Sequence, residues 1–451
     1  MTVETGLTDR QPLTAMLAQS IVTAGDRQPT EAHHAAVRRI LIDWLGVAVA
    51  GSAEPVAKLM RAEFGPDAGA ISLIGARTRA SVANAALING TAGHALDYDD
   101  IQPFVGHPGA VVVPAALAVG EALGADGELF VRAIIAGYDA AHFVGSLVMP
   151  AHYDHGFHST ATVGTFGAVA ASAVLMRLDQ GAVQHAIGLA ATQAAGLKCM
   201  FGTMAKPYHA GRACSAGVTA ASLAARGMTA SADSLEADRG FLSTQAHQPI
   251  PPGWRAPEFG DSLASVQFKH HASCFLTHSS IEAVRSIVLE HGISPHDVAD
   301  LTLRVPSEHL KTCNIAEPET GFESKFSLRH VAALVLGGHD TADIDVFSDH
   351  IAQEPGLREL RQKVLIRGDL DSRFEARATL RDVDGSIFNA AYDTSLGRSG
   401  RSDDLDASLD RKFSALAAPF VGEQAMKEIL QKCQSIPDLD LAHLLEMLKA
   451  V

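Results

Sequence analysis

The stretch Ser159–Met176, STATVGTFGAVAASAVLM, decides how the rest of the chain is read. It carries no charge and approaches the length of a membrane span. Its residues are mostly Ala, Gly, Ser and Thr, with little Leu or Ile. That composition suits a helix packed closely among other helices better than one facing lipid. Neighbouring segments read the same way. Glu31–Val49 has helical spacing of apolar residues, with Thr30 as a plausible N-cap and Gly51 as a stop. Ala110–Gly124, Phe130–Val148, Gln180–Leu197 and Arg212–Arg226 follow. Several are apolar on most faces and belong inside a bundle. The connections between them are expected to carry the His, Asp, Tyr and Gly residues.

From about Asp300 the texture changes. Leu301–Val305 alternates like a strand. Glu375–Leu380 and Ser386–Tyr392 flank Asp384-Gly385, a hairpin signal. Ser327–Leu336 reads as a helix stopped by Gly337-Gly338, and Ser408–Lys449 is helical again. The fold class expected is mainly α. A large all-helical domain takes residues 1–268 and 402–451, and a smaller α+β lid domain takes residues 269–401. The chain shows no internal repeat or low-complexity tract.

At 451 residues two domains are the default. Hydrophobic residues at 47% against 19% charged make a globular composition, not a disordered one. The net charge of −15 argues against nucleic acid, which calls for a basic stripe. The opening MTVETGLTDRQPL has neither a basic nor an apolar region of a signal peptide. Five cysteines without a CxxC pair suggest reduced thiols in a cytoplasmic protein, with no membrane partner.

Four islands of reactive residues stand out. The first is His94-Ala-Leu-Asp97-Tyr-Asp99-Asp100, followed by Gly106-His107-Pro108-Gly109. The second runs from His152 through Tyr153, Asp154 and His155 to His158-Ser159-Thr160. The third, Gly202–Ala213, reads GTMAKPYHAGRA and crowds Lys206, His209 and Arg212 together in an acidic chain. Such a local cationic knot suits a small anion, because binding follows the local field. The fourth is Phe268-Lys269-His270-His271-Ala-Ser-Cys274, followed by Thr277-His278.

A metal site is one reading of these islands, since His152, His155 and His158 are spaced by threes and Asp97, Asp99 and Asp100 lie near His94 and His107. HExxH and a spaced Cys/His quartet are both missing, and the run through Gly156 is not one continuous helix; no metal is expected. A GxxxxGK[ST] loop, a GxGxxG turn after a strand and a GxSxG elbow are missing as well. What remains is proton chemistry next to a carboxylate. It needs a base, cations to stabilise enolate-like charge, and often an acid on the other face. Lys269, Lys206, His107, His158, Tyr153 and Asp97 are the right types for these tasks.

Taken in order, ALDYDD…GHPG, HYDHGFHSTATVGTFGA, GTMAKPYHAGRA and FKHHASCFLTH resemble the MmgE/PrpD family across nearly the whole chain. That family includes 2-methylcitrate dehydratases, cis-aconitate decarboxylases and iminodisuccinate epimerases. The resemblance implies a homodimer whose site lies between a helical domain and a lid and uses no cofactor. It implies a small di- or tricarboxylate as substrate. It carries over residue by residue. Asp97 stands at the first aspartate of the family's DxDD motif, and His107 at the histidine before Pro-Gly. His158 stands before the Thr-rich helix start, Lys206 in KPxHxG, and Lys269 at the opening of the lid. Tyr153 resembles the tyrosine that the epimerase branch pairs with the lid lysine. The resemblance thus gives Lys269, Tyr153, His158 and Asp97 as catalytic candidates. His107, Lys206, His209, Arg212 and Cys274 are the substrate-binding candidates.

Three departures count against decarboxylation of cis-aconitate. Cys274 replaces a histidine of the animal decarboxylases, Ile101 replaces a threonine, and Leu310 lies near the place of a lid tyrosine. A dehydratase of the 2-methylcitrate type is the first expectation and an epimerase the second. A carboxylate-binding structural dimer is the non-enzyme alternative. Blander readings stand beside these: Asp99 and Asp100 as helix caps, His94, His152 and His155 as structural histidines, and Met200 and Phe201 as core.

Overall fold

A computed structural model of the chain describes residues 12–66, 69–394 and 405–449. Its framework helices are α1 (Glu31–Gly51), α2 (Val82–His94), α3 (Gly109–Leu123), α4 (Gly127–Val148), α5 (Gly164–Leu175) and α6 (Ala205–Ala224). Three more follow: α7 (Phe275–His291), α8 (Leu328–Leu336) and α9 (Leu405–Val421). The uncharged run that opened the reading becomes a short turn of helix, Ser159–Thr162, and then α5. Every residue from Ser159 to Leu175 is buried, with α3, α4 and α6 packed around α5. Small side chains let these helices approach closely, with Phe166 and Leu175 as the few large apolar residues the run buries.

Local chemistry sets the helix starts. Thr30 Oγ1 accepts from the His33 amide, and His33 Nδ1 accepts from the Thr30 amide. Asp126 accepts from the Leu129 amide, so α4 begins at Gly127 rather than Phe130. Two other expectations need correction. The helix after Gln180 ends at Ala191, not Leu197, and Gly196 sits at φ 157°. The next helix starts at Ala205, not Arg212. Pro207 stands in the first helical turn, where its missing N–H costs nothing. Lys206 and His209 therefore lie on a helix, not in a connection.

The lid holds a four-stranded sheet of β1 (Val298–Pro306), β2 (Val364–Leu370), β3 (Glu375–Asp382) and β4 (Ile387–Asp393). Their spatial order is β2-β1-β3-β4, with β1 and β2 parallel and the other pairs antiparallel. The β3–β4 hairpin turns at Asp384-Gly385, where Gly385 has φ 91°. Strand β2 was not expected from the sequence. Leu301, Leu303, Ala378 and Leu380 pack against Ile281, Val284 and Val331 of α7 and α8.

Beyond the lid, α9 returns to the helical core through Leu409, Phe413 and Ala417. The boundary expected at 401–402 lies outside the described residues. Arg38 and Arg39 on α1 hold this return helix through Asp410 and Asp406, at 2.7 and 2.8 Å. Leu96 and Tyr98 belong to the lid's core, so the turn after α2 lies at the seam between the two domains. No single helix among the described residues is long and apolar enough to cross a membrane.

Candidate active site

Helix α2 ends at His94, and the chain then makes a tight turn. Asp97 occupies the left-handed region at φ 51°, a conformation Asp tolerates better than most residues. Backbone held there at a cost points to function. The turn places Asp97, Asp99 and Asp100 in the interior, each almost fully buried.

Asp97 is the centre. Its Oδ1 lies 2.6 Å from Lys269 Nζ and 3.1 Å from Lys206 Nζ, with His107 Nε2 at 3.4 Å. Its Oδ2 is buried without a hydrogen-bond partner. Burial alone would raise this carboxyl, but Lys206, Lys269, His107 and His94 together hold it well below the usual range. Asp99 sits one shell behind, accepting from His94 Nδ1 at 3.0 Å and lying 3.2 Å from His107 Nδ1. The two imidazoles overcome its burial and hold it well below the usual range too. Burial lowers His94 to about 4, so its ring is neutral. With Nδ1 donating to Asp99, His94 Nε2 accepts from Lys206 Nζ at 2.9 Å. His107 is lowered chiefly by burial.

Gly106 makes room for this corner. It has φ 94°, and a Cβ there would lie 2.5 Å from Thr160 Oγ1. That hydroxyl instead accepts from the His107 amide at 3.1 Å. Asp100 does something different. It accepts from the Gly109 amide at 3.0 Å and from the Tyr138 hydroxyl at 2.6 Å, which caps the start of α3.

Of the nine candidates, Asp97, His107, His158, Lys206, His209 and Lys269 come together. His158 Nδ1 lies 3.2 Å from His209 Nδ1, and its ring stacks 6.0 Å from that of His94. Burial and Lys206 push His158 well below its ordinary value. Cys274 and Tyr153 border the cluster. Burial pushes the Tyr153 phenol up, with Cys274 and Asp97 adding to it. Cys274 has its thiol lowered chiefly by a hydrogen bond from Cys313. Arg212 lies exposed on α6, outside the cluster. His152 is structural, bonded to Gln245 O and Thr162 Oγ1 at 2.8 Å each, while His155 is exposed and stacks on His247. Phe201 packs edge-on to His158, but Met200 is 36% exposed and not core.

Lys325, Asp43 and Lys412 are charged groups near the seam that the sequence reading did not single out. Lys325 donates to Leu96 O at 2.8 Å and is lowered to about 8 by burial. Its signal was its place between Phe322 and Phe326. Asp43 lies between Ile42 and Trp44 in an apolar stretch, a carboxylate where a core side chain was due. Lys412 follows Asp410-Arg411 and looks like a solvated charge run.

His94, Asp97, Asp99 and His107 offer ligand atoms within 4.8 Å of one another, the spacing of a metal site. The two lysine nitrogens on Asp97 Oδ1 oppose that use, since they set positive charge where a divalent cation would go. The same charges suit an anion.

A helical domain, an α+β lid, and two lysines meeting on one aspartate at the seam define a class of two-domain protein with a polyionic interior site. The MmgE/PrpD N-terminal domain matches residues 15–251 and the MmgE/PrpD C-terminal domain matches residues 271–436; the chain belongs to the MmgE/PrpD family. It is similar to the cis-aconitate decarboxylase of Homo sapiens, at 26% identity over 79% of this chain and 77% of that protein. It is also similar to the cis-aconitate decarboxylase of Aspergillus terreus, at 25% identity over 90% of this chain and 88% of that one.

Proposed function

We propose that the chain is a cofactor-independent lyase that removes a proton α to a carboxylate of a small di- or tricarboxylate. Dehydration of a 2-methylcitrate-like acid is the first reading. The observation that carries it is the meeting of Lys206 and Lys269 on Asp97 beside neutral imidazoles. Two ammonium groups stabilise carboxylate and enolate charge better in a dry interior than in water.

Lys269 donates to Asp97 O, Asp97 Oδ1 and Ser273 O, the full complement of an ammonium group. This geometry favours the charge-stabilising part over that of base. His107 keeps 12% of its side chain accessible, against none for His94. The His107 Nδ1 lies 3.2 Å from Asp99 Oδ2, and its Nε2, 3.4 Å from Asp97 Oδ1, is the candidate to take the α-proton. The carbon–oxygen bond at the β-carbon then breaks. The departing hydroxide takes a proton from the acid, for which Tyr153 is the candidate because burial keeps its phenol protonated. Water and an α,β-unsaturated acid result. His158 and His209 orient the far end of the substrate.

The names of the similar proteins favour a second reading, decarboxylation of cis-aconitate. Ile101, Cys274 and Leu310 weigh against it, since Leu310 is packed in a small apolar cluster with Phe326 and Cys313. Epimerisation differs only in returning the proton to the opposite face. The family resemblance supports a homodimer, and five widely spaced cysteines without a CxxC pair support a cytoplasmic location. One experiment tests the reading: 2-methylcitrate, cis-aconitate and iminodisuccinate are each incubated in D2O and followed by proton NMR. An alkene signal arising from 2-methylcitrate supports dehydration, a changed alkene signal from cis-aconitate with release of carbon dioxide supports decarboxylation, and exchange with inversion in iminodisuccinate supports epimerisation. Inertness toward all three, with no rise in melting temperature at millimolar acid, overturns the enzyme reading.

A further inference from the structure

The two segments that carry Asp97 and Lys269 belong to different domains, yet they are stitched side by side. The Ile101 amide donates to Gln267 O at 2.8 Å, and the Gln267 amide donates back to Ile101 O at 2.9 Å. The Tyr98 hydroxyl donates to His270 O at 3.1 Å. A third segment closes the arrangement from behind. Lys412, on the return helix α9, donates to Tyr98 O at 2.6 Å and to Lys269 O at 3.1 Å. Its third bond goes to Asp43 Oδ1 on α1 at 2.6 Å, and its Nζ sits 3.8 Å from the centre of the Tyr98 ring. Both side chains are buried, Asp43 completely.

We infer that Lys412, oriented by Asp43, is a positioning residue that holds Lys269 and Asp97 in register across the domain seam. Its two carbonyl acceptors belong to Lys269 itself and to the residue next to Asp97. A shift of either backbone would separate the lysine from the carboxylate at the centre of the site. A buried ammonium with three bonds has little freedom to follow such a shift, so it resists it. Lys412 touches no reacting atom; it acts through the two backbones it joins. The inference rests on the lyase reading only for its kinetic arm.

The test pairs amide hydrogen exchange with kinetics. Lys412→Met leaves Asp43 buried and uncompensated, and that alone can unfold the chain. The double variant Asp43→Asn/Lys412→Met removes the ion pair as a unit and keeps the volume. In either variant that folds, amides of residues 98–102 and 267–271 should exchange about tenfold faster, while those of α3 stay protected. With whichever acid the wild type turns over, kcat should fall about a hundredfold with little change in KM. Lys412→Arg, which keeps the charge and donors, should recover part of the loss. Unchanged exchange in both segments overturns the inference, and so does a kcat loss no larger than the fraction of unfolded protein. If the wild type turns over no acid, the lyase reading fails, and the exchange arm alone decides the role of Lys412.

Discussion

Lys269 Nζ donates both to the Asp97 carboxylate, at 2.6 Å, and to the Asp97 carbonyl, at 2.7 Å. One side chain of the lid thus fixes the charge and the backbone of a residue held at φ 51°. Electrostatics and conformation are tied together in this pair.

Lys269→Ala should therefore damage more than binding. It leaves Asp97 with one ammonium in place of two, and removes a donor aimed where enolate charge develops. A fall in kcat of about 10² to 10³ is expected, the range for deleting one such donor. Steady-state kinetics on the active acid check this. Activity within about threefold of wild type would remove Lys269 from the reaction.

Asp99→Asn tests the layer behind. An asparagine that turns its amide group to donate to His94 Nδ1 moves the ring proton onto Nε2. That proton would then face Lys206 Nζ, which now donates to Nε2 at 2.9 Å. Lys206 loses an acceptor while still buried, so stability should drop by about 1–3 kcal/mol. Nitrogen-15 shifts of the His94 ring should report the switched tautomer. A ring still protonated on Nδ1 contradicts the account.

Much of this was legible in the residues. The uncharged Ser159–Met176 run announced a packed interior, and Asp384-Gly385 announced the hairpin. Asp97, His107, His158, Lys206 and Lys269 were singled out by type and motif and come together in space. Most of what escaped notice depends on partners distant in sequence. Lys412 and Asp43 are far apart in sequence and meet only because α9 folds back on α1. Lys206 and His209 read as part of a connection because the helix is expected to start at Arg212, whereas it starts at Ala205. Strand β2 is parallel to β1, and such pairing depends on a partner about sixty residues away rather than on an adjacent turn.

Helices α2 and α6 carry His94 and Lys206, and their approach depends on Gly211. A Cβ there would lie 2.2 Å from Thr91 Oγ1 and 2.3 Å from Leu87 O. The carbonyl belongs to a helix backbone and cannot step aside cheaply. Gly211→Ala should lower stability by about 1–3 kcal/mol, as overpacking does. Pushing α6 outward also lengthens the Lys206–His94 bond, so activity should fall further than the folded fraction does. Gly181→Ala, with ordinary contact distance to Asp179, is the control and should be neutral or better. Equal melting temperatures for the two variants would refute the packing argument.

Lys325 gives a prediction in pH. Burial lowers it from 10.5 to about 8, with Glu54 and Asp97 opposing and Lys269 and Lys206 reinforcing the shift. Between those two pH values the unfolded chain holds a proton that the folded chain has released. Stability from this group therefore rises with pH across the window and is lowest below about 8. At pH 7 the buried charge costs something on the order of 3 kcal/mol, less what its bond to Leu96 O returns. Lys325→Met removes the charge and keeps most of the volume. Its melting temperature should exceed the wild type's at pH 7, and the gap should close as pH climbs from about 8 toward 10. Thermal unfolding across that range decides it: a gap that stays constant with pH means that Lys325 does not titrate in this window.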